Sequence, residues 1–265
     1  MKSAPPFTAV VLAADRDAGD PLVHASGACC KAMVRIDGTP MLERVVRALT
    51  DSSSVGDILI SGEQQIQVQD SDYLADARAR GAVSWIAPQE SPATSAYRAM
   101  QALDTGVRVL ITTADHPLLR ADIVDDFLRR SLDSGADVSV GLTDYASIQA
   151  RFPTAKKTVT RFRDGGYCGC NLFAFMTPAS RRVASAWRQV EAQRKNPLRV
   201  ISQLGWWSVL RYLLGRMTLA QALGELSKRL EVTIAAAHLP YPEAAIDVDS
   251  IADQELVEGI AGSSR

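Results

Sequence analysis

Short apolar runs alternate with amphipathic stretches through the first 144 residues, and this alternation points to a fold class before any chemistry is considered. Thr8 to Ala14, "TAVVLAA", is a continuous valine-rich run suited to a parallel strand buried on both faces. "MLERVVRAL" (41–49) then carries apolar residues at helical spacing, with Pro40 just ahead of it as at a helix start. "DILISG" (57–62), "AVSWIAP" (82–88), "VRVLITTAD" (107–115) and "ADVSVGLTD" (136–144) repeat the strand pattern, with helical segments expected over 93–104 and 121–134. Strand and helix in alternation predict an α/β fold with three layers around a mostly parallel, Rossmann-like sheet.

Beyond residue 150 the pattern changes. "TVTRFRDGGYCGCNLFAF" (158–175) predicts two strands around a glycine-rich connection, and 181–230 reads as a helical insertion broken at Asn196-Pro197, Gly205 and Gly215. "EVTIAAAHL" (231–239) returns to strand; "AAIDVDSIADQELVEGI" (244–260) predicts a short strand, a turn and a terminal helix capped by Asp249 or Ser250. The whole chain, 1–265, is expected to be one domain.

Composition narrows the function classes. With 265 residues, 47% of them hydrophobic, the chain can bury a full core. Its net charge of −1 and lack of a long basic run argue against a general nucleic-acid surface. No run approaches the ~20 apolar residues of a membrane span, and residues 1–7 carry too little charge and apolar length for the pattern expected of a signal peptide. Cys29-Cys30 and Cys168-x-Cys170 match neither a zinc ribbon nor a disulfide scaffold, so a reduced, cytoplasmic setting is expected; a metal site joining the two pairs is the competing possibility.

In such sheets ligands bind beyond the carboxyl ends of the strands, so the segments after each strand are where chemistry is expected. Those are Ala14 to Asp20, Ser61-Gly62, Pro88 to Ser95, and Asp115-His116-Pro117. Asp115, at a buried strand's end, is the first-choice ligand for a magnesium ion, which prefers hard oxygen donors. Asp247 and Asp249 are one residue apart, so on a strand both would face one side, and either could join Asp115 at the metal; Asp249 as a mere helix cap competes with that role. His116 before proline reads as an extended turn residue.

"AVVLAADR…CCKAMVRIDGTPMLERVVRAL" resembles the signature of the nucleotidyltransferases that include the molybdenum-cofactor, sugar-phosphate and cytidylyl enzymes (MobA-like NTP transferases). "VLITTADHPLL" and "AAIDVDSIADQELVE" are similar to the second and third markers of that family, in the same order along the chain. The resemblance implies a nucleotide-diphospho-sugar transferase fold and transfer of a nucleoside monophosphate from a triphosphate to a small phosphorylated acceptor, with Mg²⁺ as cofactor and pyrophosphate as product. It implies that Ala13, Ala14, Asp15, Lys31, Ser61, Ser95 and Asp115 bind the nucleotide, that Lys31, Asp115 and Arg16 act in catalysis, and that the central segment, through Gly166, Asn171 and Lys157, faces the acceptor. Lys156 and Arg161 are further candidate cations there, although a solvated basic hairpin accounts for them too.

The family's loop glycines are Asp15 and Asp17 here, and the loop to Lys31 is longer. Carboxylates repel phosphate unless they turn away or share a cation. A nucleotide-binding regulatory protein without turnover is therefore an alternative, and a metal-dependent glycosyltransferase consuming a nucleotide-sugar is another. Trp206, Trp207, Leu210, Leu213 and Leu214 form an apolar helical face flanked by Arg199, Arg211 and Arg216. Core packing, a homodimer surface, or membrane contact through 199–216 would each explain it.

Overall fold

The computed structural model describes residues 7–15, 19–63, 71–192 and 211–262. In chain order the first half comprises β1 (Phe7–Leu12), α1 (Pro21–Ser26), β2 (Arg35–Ile36), β3 (Thr39–Pro40), α2 (Met41–Asp51), β4 (Val55–Ser61) and α3 (Asp72–Ala79). β5 (Val83–Ile86), α4 (Pro92–Gln101), β6 (Arg108–Thr113), α5 (Ala121–Asp133) and β7 (Val138–Asp144) continue the alternation. Then come α6 (Tyr145–Arg151), β8 (Thr160–Phe162), β9 (Gly165–Phe175), α7 (Arg181–Ala192), α8 (Leu219–Leu230), β10 (Ile234–His238) and α9 (Ile251–Gly262).

The main sheet runs β10-β7-β9-β6-β1-β4-β5, with β8 paired to β9. β1 is parallel to both β4 and β6. β9 is antiparallel to both of its neighbours, β6 and β7, which makes the sheet mixed.

The apolar run of β1 is continuous because both of its faces are covered. Phe7, Ala9 and Val11 enter one core, with α2 and α5 packed over it, while Val10 enters a second core with α4 residues Ala96, Ala99 and Met100. Full burial of one such aliphatic side chain is worth roughly 1.5–3 kcal/mol. The strands that end at the carboxyl edge are thereby fixed in the core.

Three sequence-based expectations need correction. The glycines of 165–169 lie within β9 rather than in a connection; the turn is Arg163-Asp164, and Gly166 pairs with Arg161. A Cβ on Gly166 would meet Val159 Cγ1 at 3.0 Å, so this glycine permits close packing instead of supplying a flexible acceptor loop. Residues 246–249 form no strand: a 3₁₀ turn (Pro242–Ala245) leads into irregular extended chain. The inside–outside alternation survives without ladder pairing, since Ile246 and Val248 are fully buried while Asp247 and Asp249 turn outward.

In the helical region, α7 packs on the second core through Ala184 and Trp187. Trp206, Trp207, Leu210 and Arg199 lie outside the described residues. Leu213 and Leu214 are 74% and 56% exposed. Among the described residues no helix is long and apolar enough to cross a membrane.

Candidate active site

Two clusters of a lysine with carboxylates form at the carboxyl edge of the sheet. The first is built by the ends of β1 and β6. The loop after β1 accommodates its extra length as α1, whose first turn is capped by Asp20 accepting the Leu22 N–H at 2.8 Å. The helix ends at Gly27 with φ 66°, a left-handed conformation that glycine adopts without strain. The chain then reaches a single 3₁₀ turn, Lys31–Met33.

Asp15 is tied into that turn, its carboxylate accepting the Lys31 backbone N–H at 2.9 Å. The Asp15 carboxylate is thus engaged by the chain's own backbone. Burial raises the Asp15 pKa, and the neighbouring Asp20 and Glu63 charges add to the rise, against the opposing Lys31 backbone bond and charge. Arg16 and Asp17 lie outside the described residues.

The Lys31 ammonium donates to Asp115 Oδ2 at 3.0 Å and also to Asp249 Oδ1. Both carboxylate oxygens sit on one nitrogen, so they lie within about 6 Å of each other by hydrogen-bond geometry. Asp115 follows β6 by two residues, and its backbone is held on both sides. Ala114 N–H donates to the Leu12 carbonyl at 3.0 Å, and Val248 N–H donates to the Asp115 carbonyl at 2.9 Å. Burial opposes both charges, yet the mutual attraction wins: the Lys31 pKa is raised by Asp115 and Asp249, and the Asp115 pKa is lowered chiefly by Lys31. Asp115 Oδ1 is buried and has no hydrogen bond of good geometry among the described residues.

Asp249 is free for this role because Ser250 caps α9. The Ser250 hydroxyl accepts the Asp253 N–H at 3.3 Å and donates back to the Asp253 carboxylate at 2.6 Å.

The second cluster gathers beside β9, which contributes Asn171. Lys157, with only 8% of its side chain exposed, pairs with Asp247 Oδ1, and Asn171 Nδ2 donates to Asp247 Oδ2 at 3.3 Å. Asn171 has φ 51°, at the irregularity where Val140 pairs with Phe173 but Leu142 pairs with Gly169. Extra β9 residues there push the strand out of register and turn the asparagine aside. Lys156 is exposed, and the Arg161 guanidinium lies 5.7 Å over the Tyr145 ring, so Lys157 alone of these cations turns inward to the carboxylate.

Of the two aspartates expected as partners of Asp115 at the metal, Asp249 shares Lys31 with it, while Asp247 pairs with Lys157. Among the described residues no group of three or more His, Cys, Asp or Glu side chains forms a metal cluster, which also leaves the two cysteine pairs without a shared site. No disulfide joins the four cysteines, and burial raises the pKa of Cys30 and of Cys170 to about 12.

On the β4 and β5 side, Ser61 accepts the Ala13 N–H through its backbone carbonyl at 2.9 Å, and its hydroxyl is buried without a hydrogen bond among the described residues. Ser95 is buried in the first turns of α4, where its hydroxyl accepts the Gln89 N–H at 2.9 Å, while Ser91 caps the helix. Ala14 is exposed beside Asp15.

Two features were not legible beforehand. His116 is 1% exposed, with neither ring nitrogen in a good hydrogen bond among the described residues; burial lowers its pKa, against the charges of Asp115 and Asp247. Arg120 donates to Glu243 at 2.6 Å, joining the loop after β6 to the turn that leads to Asp247. The Arg120–Glu243 pairing has no sequence signal, because its partners lie 123 positions apart along the chain.

The model of the MobA-like NTP transferase domain matches residues 9–230. A hypothetical transferase from Thermus thermophilus is similar over 95% of this chain and 100% of its own, at 29% identity and a TM-score of 0.75. A 4-diphosphocytidyl-2C-methyl-D-erythritol synthase from Anaerococcus prevotii shares the fold over 97% of this chain and 96% of its own, with a TM-score of 0.57 at 11% identity. A CMP:2-keto-3-deoxy-manno-octonic acid synthetase in complex with CTP covers 97% of this chain and 100% of its own, with a TM-score of 0.55 at 15% identity. No curated protein matches the chain significantly. The chain belongs to the MobA-like NTP transferase family, and with it to the nucleotidyltransferase class of enzymes.

Proposed function

We propose that the protein transfers a nucleoside monophosphate from a nucleoside triphosphate to a small phosphorylated acceptor. The observation that carries this is the pair of lysine–carboxylate clusters set side by side, sharing the 247–249 segment between them. Lys31 faces the nucleotide phosphates, and Lys157 with Asn171 holds the acceptor phosphate, with Asp247 orienting both donors. An acceptor phosphate oxygen, already ionised at neutral pH, attacks the α-phosphorus. The new P–O bond forms as the bond to the β-phosphate bridging oxygen breaks, and pyrophosphate leaves. Positioning and charge neutralisation dominate such a step.

A divalent cation fits the residues present. Asp115 and Asp249 already share one positive charge, and Asp115 Oδ1 has no hydrogen bond of good geometry among the described residues. Two hard carboxylates plus phosphate and water oxygens suit Mg²⁺. When bound, such an ion supplies charge neutralisation at the phosphates. Ser61, Ser95 and the Ala13–Asp15 backbone flank the place for the nucleoside. Residues 181–230 are read as an insertion in a single domain, supported by α7 packing on α4 and by Glu191 accepting the Ala93 N–H at 3.0 Å.

A screen of the four ribonucleoside triphosphates against sugar, polyol and cofactor phosphates, read by pyrophosphate release, tests the activity. Turnover that disappears in Asp115→Ala is expected. Tight triphosphate binding by calorimetry with no turnover for any acceptor would favour the regulatory alternative, and consumption of a nucleotide-sugar would favour the glycosyltransferase.

A further inference from the structure

Asp115 and Asp249 come from segments 134 positions apart, yet both carboxylates close on the same lysine nitrogen. Two carboxylates this close repel unless a cation lies between them. The cation here is covalently part of the chain. Its backbone is anchored by Asp15, which accepts the Lys31 N–H at 2.9 Å, so the ammonium is delivered to the carboxylates from a fixed base. The side chain is partly shielded, at 20% exposure, and the opposed carboxylate of Asp115 is at 24%; only Asp249 is open to solvent, at 66%.

We infer that the Lys31 ammonium is an internal stand-in for the divalent cation, so that metal and triphosphate enter the site only together. This rests on the function proposed above and adds a binding order to it. A metal arriving alone must displace an ammonium that has nowhere better to go, and its apparent affinity is reduced by the fraction of molecules in which Lys31 has left. A triphosphate offers the ammonium a competing set of anionic oxygens. Once Lys31 turns to the phosphates, Asp115 and Asp249 are left with excess negative charge and take up the ion. Linkage then requires reciprocity: the factor by which nucleotide tightens the metal equals the factor by which metal tightens the nucleotide.

The test is titration of the purified full-length protein with Mn²⁺, read by the loss of the free-ion paramagnetic resonance signal, with no nucleotide present. The wild type is expected to bind Mn²⁺ at least tenfold more weakly than Lys31→Met, and adding Asp249→Asn to Lys31→Met should reverse the gain. Lys157→Met removes the same charge at the neighbouring cluster and should change Mn²⁺ affinity less than threefold. Equal affinity in wild type and Lys31→Met, or an equal gain in Lys157→Met, overturns the inference. Thermal melts of all variants establish that each is folded. Turnover assays separate this result from the proposed activity. Active enzyme with unaltered Mn²⁺ binding in Lys31→Met removes only the stand-in, whereas the Mn²⁺ pattern without turnover for any substrate pair removes only the transferase activity.

Discussion

The two lysine clusters share a composition but not a construction. Lys31 reaches two carboxylates from a loop beside the central parallel strands, and one of those carboxylates is largely open to solvent. Lys157 is nearly buried, has one carboxylate, and is completed by an asparagine held in a left-handed conformation on an antiparallel strand. The first arrangement can be exchanged, because its ammonium can find new anions without exposing the core. The second is a fixed platform. On the function proposed above, Lys31 is the side chain that moves during a cycle, and Lys157 is the one that holds the acceptor still.

The largest effect should come from Asp115. Asp115→Asn is expected to lower turnover by about 10²–10³, the range for removing one pre-organised electrostatic partner, while the protein keeps its fold. A loss below tenfold in single-turnover measurements would sink the division of roles. Lys31→Met should raise the triphosphate KM by roughly 10- to 100-fold, as for a lost charged hydrogen bond of ~1.5–3 kcal/mol, and leave the acceptor KM near the wild-type value. Lys157→Met should do the reverse. Steady-state kinetics with each substrate varied would break the comparison if both constants moved together in either variant.

A smaller effect separates the platform's backbone from its amide. Asn171→Ala places a Cβ without a compensating polar group at φ 51°, at a cost of roughly 1–2 kcal/mol, whereas Asn171→Gly should be the more stable of the two by urea unfolding. Both should weaken acceptor binding, since both remove the donor to Asp247.

The smallest effect is on pH dependence. The Asp115 pKa is lowered by Lys31, so its contribution to stability is present above the ordinary carboxylate range and is lost as pH falls through the lowered value. The Lys31 pKa is raised, so its share persists below the ordinary lysine range and is lost as pH rises through the raised value. Asp115→Asn should therefore flatten the acid limb of the stability curve in urea titrations between those limits, and an unchanged limb would show that the pair contributes nothing to folding.

Much of this was legible in the chain. The doubly buried runs of β1, β4 and β6 announced a parallel sheet, because burial on two faces demands continuous apolar sequence. A strand-end aspartate and a lysine before the helix at 41–51 marked the edge where chemistry gathers. The sequence alone therefore determined the fold class through its local pattern, pointed to the family through the resemblance of three motifs, and marked Lys31, Asp115, Asp247 and Asp249 as candidates for one edge. Only the tertiary structure decided that Asp249 joins Asp115 on Lys31 while Asp247 turns to Lys157, that Asp15 holds the Lys31 backbone, and that Arg120 ties two loops together. Those pairings depend on separations of a few ångströms between segments remote along the chain, set by packing and register that no local periodicity encodes.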